Sequence, residues 1–212
     1  MKLGILGGTF DPPHVGHVIA ADEVRSALDL DLIYFIPAAR SPHKRDRKLA
    51  SASERLTLVG LATLFDRDFL VSDIEIRRRG VSYTVDTLEA LRSLHARDEL
   101  FFLIGMDNVL SFHTWKSPHR ILELATVVAM TRPGYHRAEQ KKIPRWMKRR
   151  TIVCPVPEIG VSSSDIRRRI REAKPFRHMV PELVYDYITL RGLYVCAKSP
   201  RPGSVDRSSS SA

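Results

Sequence analysis

Two histidines, His14 and His17, stand three positions apart with Gly16 between them. At the start of a helix that spacing puts both imidazoles on one face of one turn. Gly16 leaves room for a ligand to come close. Just upstream run Gly7, Gly8, Thr9 and Phe10, behind a short apolar stretch from Lys2 to Leu6. Paired glycines let the backbone turn sharply, and their amides, with that of Thr9, can face a phosphate at a helix start. Imidazoles beside an amide cradle suit phosphoryl or nucleotidyl transfer, where positioning and charge neutralisation do most of the catalysis. The pattern is neither G-x-G-x-x-G nor G-x-x-x-x-G-K-[ST], so neither a dinucleotide fingerprint nor a P-loop is expected. His-x-x-His without a nearby third ligand is thin support for zinc, and no metal ligand is assigned. Alone, the pair would read as two helix-surface histidines; the Gly-Gly turn in front of it argues for a site.

A second segment, Ser162-Ser163-Ser164-Asp165-Ile166-Arg167, offers hydroxyls and amides at a helix start with an arginine on the first turn. That is a second anion site in chemistry. By itself it would read as an ordinary helix cap and a solvated charge.

The elements that must carry these residues alternate. Strands are expected at Lys2–Leu6, Leu32–Ile36, Phe69–Ile76, Leu100–Ile104, Thr126–Met130 and Thr151–Val156. Between them, helical spacing runs over Val15–Leu28, from a Ser51 start to Leu64, over Thr84–Leu94, and up to Leu124. Helices Ile166–Glu172 and Pro181–Leu190 follow the last strand. Residues 37–50 read as a basic loop and 137–150 as an exposed connection or helix. This alternation predicts an α/β fold: a doubly wound, Rossmann-like parallel sheet with a small C-terminal helical portion. In such sheets ligands bind beyond the carboxyl ends of the strands. One domain over residues 1–196 and a disordered tail over 197–212 are expected.

The chain of 212 residues carries 34 Lys+Arg against 24 Asp+Glu, a formal charge of +10. An anionic partner is therefore expected, whether nucleic acid, an acidic membrane surface or a phosphorylated small molecule. Aromatic residues do not interleave with the basic runs, which argues against a single-strand stacking platform. No apolar run approaches the roughly 20 residues of a membrane-spanning helix. The N-terminus reads as a strand, not a signal peptide. Two separate cysteines, Cys154 and Cys196, exclude a disulfide scaffold and a cysteine-rich zinc site. A cytosolic protein is expected.

Gly8 to His17 resembles the HxGH signature of the nucleotidyltransferase superfamily, and Ser162 to Arg167 resembles its Ser-Ser-Thr-x-Ile-Arg signature, with Ser164 keeping the hydroxyl. Ser82-Tyr83-Thr84-Val85-Asp86-Thr87-Leu88 resembles the SYTxDTL segment of bacterial nicotinate-mononucleotide adenylyltransferases. Gly105-Met106-Asp107-Asn108 resembles that family's Gly-Ala-Asp-Asn; Ser41 to Lys44, Trp115 and Arg132-Pro133-Gly134 also match in order. The resemblance implies transfer of the adenylyl group of ATP to nicotinate mononucleotide, giving deamido-NAD and pyrophosphate. It implies catalytic roles for His14, His17, Lys44 and Arg167. ATP would lie on Gly7, Gly8, Thr9, Phe10, Gly105, Asp107, Ser162, Ser163 and Ser164. The mononucleotide would meet Tyr83, Thr84, Trp115 and Arg132. Mg²⁺ would arrive with ATP, held mostly by phosphates and water. Neither nucleic acid nor membrane is an expected partner. Two alternatives stay open: another HxGH enzyme such as a phosphopantetheine adenylyltransferase, and a basic nucleic-acid-binding protein that releases no pyrophosphate.

Overall fold

The computed structural model describes residues 1–40, 49–131, 141 and 143–195. Six strands form one parallel sheet: β1 (Lys2–Gly8), β2 (Leu32–Pro37), β3 (Phe69–Val71), β4 (Glu99–Gly105), β5 (Thr126–Thr131) and β6 (Thr151–Pro155). Their order is β3-β2-β1-β4-β5-β6. The connection reverses direction between β1 and β4, which is where a doubly wound sheet opens a binding crevice. The register shows the opening. β1 pairs with β2 as far as Gly8↔Pro37 but with β4 only as far as Ile5↔Phe102. β4 meanwhile follows β5 to Gly105↔Met130. The last turns of β1 and β4 therefore part company, each held by its outer neighbour.

Both faces of the sheet are covered. Helix α4 (Thr84–Leu94), with α5 (Met106–Leu110) and α6 (Pro118–Leu124), closes one face over Leu3, Ile5, Phe102 and Ile104. Helices α1 (Val15–Leu28) and α2 (Ala52–Thr63) close the other over Leu6, Ile33, Phe35, Leu103 and Val128. Burial on both faces explains why the strands read as continuous apolar runs. Helices α7 (Ser163–Arg171) and α8 (Glu182–Arg191) pack through Ile166, Ile170, Val184 and Ile188 onto Leu58 of α2. This is the expected small helical portion. It seats the second anion segment against the first.

Two expectations change. The strand expected over Phe69–Ile76 stops at Val71, and α3 (Ile74–Arg78) follows. β3 is the sheet edge and pairs only from Ile33↔Phe69 to Phe35↔Val71. Beyond that the Asp73 carbonyl accepts the Arg77 amide, and the Asp73 carboxylate pairs with the Arg77 guanidinium at 2.7 Å, so a helical turn satisfies the backbone. The basic stretch 137–150 is not all surface: Ile143 and Met147 are buried in the core. Other boundaries agree within two or three residues, and Ser51 caps α2 with a reciprocal bond to Glu54. Cys154 is a buried free thiol. Cys196 and the expected tail lie outside the described residues. Among those described, no helix is long and apolar enough to cross a membrane.

Candidate active site

The two anion segments meet. A cavity of about 300 Å³ is walled by Gly8, Thr9, Phe10, Asp11 and His17 on one side and by Ser162, Ser163, Ser164 and Arg167 on the other. The contacts are direct. The Ser163 hydroxyl donates to the Pro12 carbonyl at 2.8 Å, and an Arg167 N–H donates to the Asp11 carbonyl. Ser162 caps α7 by accepting the Asp165 amide at 3.1 Å. Arg167 also reaches Ser164 Oγ at 3.5 Å and lies 3.5 Å from the Asp11 carboxylate.

The histidines form a stacked pair, with ring centroids 3.7 Å apart. His14 is the N-cap of α1, and its backbone N–H donates to His17 Nδ1 at 3.1 Å. Because Nδ1 accepts, the neutral His17 ring carries its proton on Nε2, which makes that nitrogen a donor. Burial pushes the His14 pKa down to about 4, so its imidazole is neutral near pH 7. Its Nδ1 is buried and has no hydrogen-bond partner among the described residues. A buried polar atom without a partner costs free energy unless a ligand supplies one. A Cβ on residue 16 would sit 3.1 Å from that Nδ1 and 3.4 Å from Ile159 Cβ, so the glycine gives the ring its space. Gly8 does the same for Phe10: a Cβ there would come within 3.0 Å of the ring. Phe10 holds a left-handed backbone (φ 48°) and turns its ring edge onto His17 at 5.1 Å.

Three residues that the sequence reading passed over lie under this loop. Asp11 is buried; its Oδ1 accepts the Tyr194 hydroxyl at 2.9 Å and the Ala50 amide at 3.1 Å. Tyr194 is half-buried beside that carboxylate, and its partial burial and the nearby charge together hold its phenol protonated. Arg55 of α2 is only 2% exposed. It donates to the carbonyls of Thr9 (2.9 Å), Ala39 (3.1 Å) and Ala50 (3.2 Å). A signal for Arg55 existed: it falls on the buried stripe of α2 with Leu58, Val59 and Thr63, at helical spacing.

The parted ends of β1 and β4 open a second cavity of about 420 Å³, bordered by Gly7, Gly8 and Thr9 from the first loop. Ile36, Phe102, Ile104 and Leu88 give it apolar walls; Ser82, Tyr83, Thr84, Asn108 and Trp115 line the rest. Trp115 belongs to wall and core together, with its ring 5.1 Å from Phe112. Tyr83 is the N-cap of α4, and Lys116 Nζ lies 4.8 Å from its ring centre. Lys116 is also paired with Asp86 at 2.8 Å. Glu75 is buried in the same wall and accepts from the Thr87 hydroxyl at 2.6 Å. Ser82 joins this side to the loop after β2, since its hydroxyl accepts the Ala39 amide at 2.9 Å.

Of the expected site residues, the smaller cavity gathers Gly8, Thr9, Phe10, His17, Ser162, Ser163, Ser164 and Arg167. The larger gathers Gly7, Tyr83, Thr84 and Trp115. Gly105 caps α5, and Asp107 sits exposed on the first turn of that helix; the residue of this segment that borders the larger cavity is Asn108. Lys44 and Arg132 lie outside the described residues. Among those described, no three His, Cys, Asp or Glu side chains stand close enough to hold a metal ion.

A model of the family described as cytidylyltransferase-like matches residues 5–169. A probable nicotinate-nucleotide adenylyltransferase from Thermus thermophilus is 44% identical over 194 residues, covering 92% of this chain and all of that protein. A protein of the same description from Thermomicrobium roseum is 39% identical over 211 residues, covering 98% of each. Among solved structures, the Plasmodium falciparum nicotinic acid mononucleotide adenylyltransferase complexed with NaAD superposes with a TM-score of 0.74. It covers 91% of this chain and 97% of its own at 18% identity, a likeness of fold.

Proposed function

This chain belongs to the cytidylyltransferase-like family, and from its relatives and its two adjoining cavities we infer that it is a nicotinate-nucleotide adenylyltransferase. It joins nicotinate mononucleotide and ATP into deamido-NAD and pyrophosphate, a step in NAD biosynthesis. The observation that carries the reading is that Gly8 and Thr9 border both cavities. A polyphosphate in the smaller one and a mononucleotide in the larger one would meet over the same turn.

In this reading the phosphate oxygen of the mononucleotide attacks the α-phosphorus of ATP in line. A new P–O bond forms, the bond to the β-phosphate breaks, and pyrophosphate leaves with the electron pair. The acceptor phosphate is already anionic, so no base and no covalent enzyme intermediate are needed. Gly7, Thr9 and Phe10 present backbone amides, and Gly8, whose own amide and carbonyl face β2, lines the cavity beside them. His17 donates from Nε2 to the oxygens that gain charge, and neutral His14 supplies a hydrogen bond rather than a positive charge. Arg167, Ser162, Ser163 and Ser164 take the β- and γ-phosphates, with Lys44 assigned to the same task. Gly105 and Asp107 fall to the nucleoside of ATP. Tyr83, Thr84 and Trp115 flank the pyridine ring, and Arg132 is assigned to the mononucleotide phosphate. Mg²⁺ bound to ATP supplies further charge neutralisation.

Pyrophosphate release tests the proposal, measured with ATP and nicotinate mononucleotide, its amide, or phosphopantetheine in parallel. The acid mononucleotide should be the preferred acceptor. Release with phosphopantetheine alone, or with none of the three, would reject the reading.

A further inference from the structure

Arg55 reaches neither cavity, yet its guanidinium binds three chain segments that frame them. Each donor nitrogen goes to a different carbonyl: Nη1 to Thr9 in the turn after β1, Nη2 to Ala39 after β2, and Nε to Ala50 ahead of α2. The side chain is 2% exposed, so the charge is held by these oxygens and by the field of buried Asp11. Asp11 and Arg55 grip the same residue from two sides, since the Ala50 amide donates to Asp11 and the Ala50 carbonyl accepts from Arg55. A buried arginine given over wholly to loop carbonyls is costly to desolvate. That cost suits a part whose task is geometry.

The Thr9 contact has a consequence for the site. A trans peptide points its C=O and the following N–H in opposite directions. With the Thr9 carbonyl turned in to Arg55, the Phe10 amide is turned away from it, at the Gly8–Thr9–Phe10 wall of the smaller cavity. Phe10 must hold φ 48° there, a region costly for a residue with a side chain. We propose that Arg55 is a positioning residue for adenylyl transfer: its three-carbonyl grip fixes the Thr9–Phe10 peptide so that the Phe10 amide faces the polyphosphate. This rests on the adenylyltransferase reading. Lysine cannot substitute, because one ammonium cannot span three carbonyls set around a planar fork.

The test pairs kinetics with nitrogen-15 spectra of phenylalanine-labelled protein. Arg55→Lys should melt cooperatively, lose roughly 10- to 100-fold in kcat, as for a displaced donor, and keep its KM for the mononucleotide within about twofold. The Phe10 amide signal should shift on adding ATP to the wild-type protein and shift less in Arg55→Lys. A folded Arg55→Lys with near-wild-type kcat overturns the proposal. So does a Phe10 amide unmoved by saturating ATP in the wild type, a result that decides the matter even if the variant does not fold. Wild-type protein that shows the shift but releases no pyrophosphate sinks the functional reading instead, because the spectrum needs no turnover.

Discussion

The Tyr194 hydroxyl donates to Asp11 Oδ1 at 2.9 Å, although 183 residues separate the two along the chain. Asp11 belongs to the turn after the first strand, and Tyr194 follows the last helix. The bond therefore fastens the end of the described chain beneath the phosphate loop. Tyr194→Phe removes a hydrogen-bond donor to a buried carboxylate oxygen. A hydrogen bond to a charged group contributes about 1.5–3 kcal/mol. Urea unfolding should show a loss of that size, with the m-value unchanged.

Stability should fall in mild acid through His14. Its folded pKa, about 4, lies below the ordinary value of 6.5. Between those values the unfolded chain binds the proton and the folded one does not, so unfolding is favoured as pH drops. The contribution is fully present above about pH 6.5 and is lost as pH falls towards 4. It is on the order of 3 kcal/mol, taking each unit as about 1.36 kcal/mol. His14→Gln should flatten that part of the profile. Equal slopes for the two proteins across that interval would count against a buried neutral His14.

Gly16→Ala should keep the fold and lose activity. The added methyl meets His14 Nδ1 at 3.1 Å and Cε1 at 3.2 Å, so the ring must move by a few tenths of an ångström. Alanine favours the helix by up to about 1 kcal/mol, which offsets part of the crowding. Thermal melting should therefore change little. Turnover should fall by roughly tenfold or more, because catalytic donors tolerate little displacement. Wild-type turnover in Gly16→Ala would show that the seat of His14 is unimportant.

His17→Ala should lower kcat by about 10²–10³ and change KM for ATP little, since a donor to developing charge acts mainly in the transition state. It also removes the acceptor of the His14 amide, a capping loss of about 1 kcal/mol. Steady-state kinetics at a temperature well below the melt separates the two effects. Near-full turnover would remove His17 from the chemistry.

The sheet and most helix positions were legible because burial on two faces leaves apolar runs, and α1 and α4 leave helical periods. Residues 74–78 misled because Ile74 and Ile76 alternate like a strand, while edge pairing, invisible in the sequence, ends at Val71. The two signatures were readable as anion sites one at a time. Their contact was not, since Ser163 and Pro12 lie 151 residues apart. Arg55 was missed because a charge on an apolar stripe reads as an interruption until its carbonyl partners are known. Asp107 and Asn108 differ by one step along a helix, and only the set of the helix reveals that Asn108 borders the larger cavity.

The tie between Tyr194 and Asp11, with Arg167 and Ser163 beside it, bears on the order in which the site is assembled during synthesis. The turn that would grip the triphosphate leaves the ribosome before its fasteners, which follow 151 to 183 residues later. A nascent chain thus carries that turn before it acquires the brace for it.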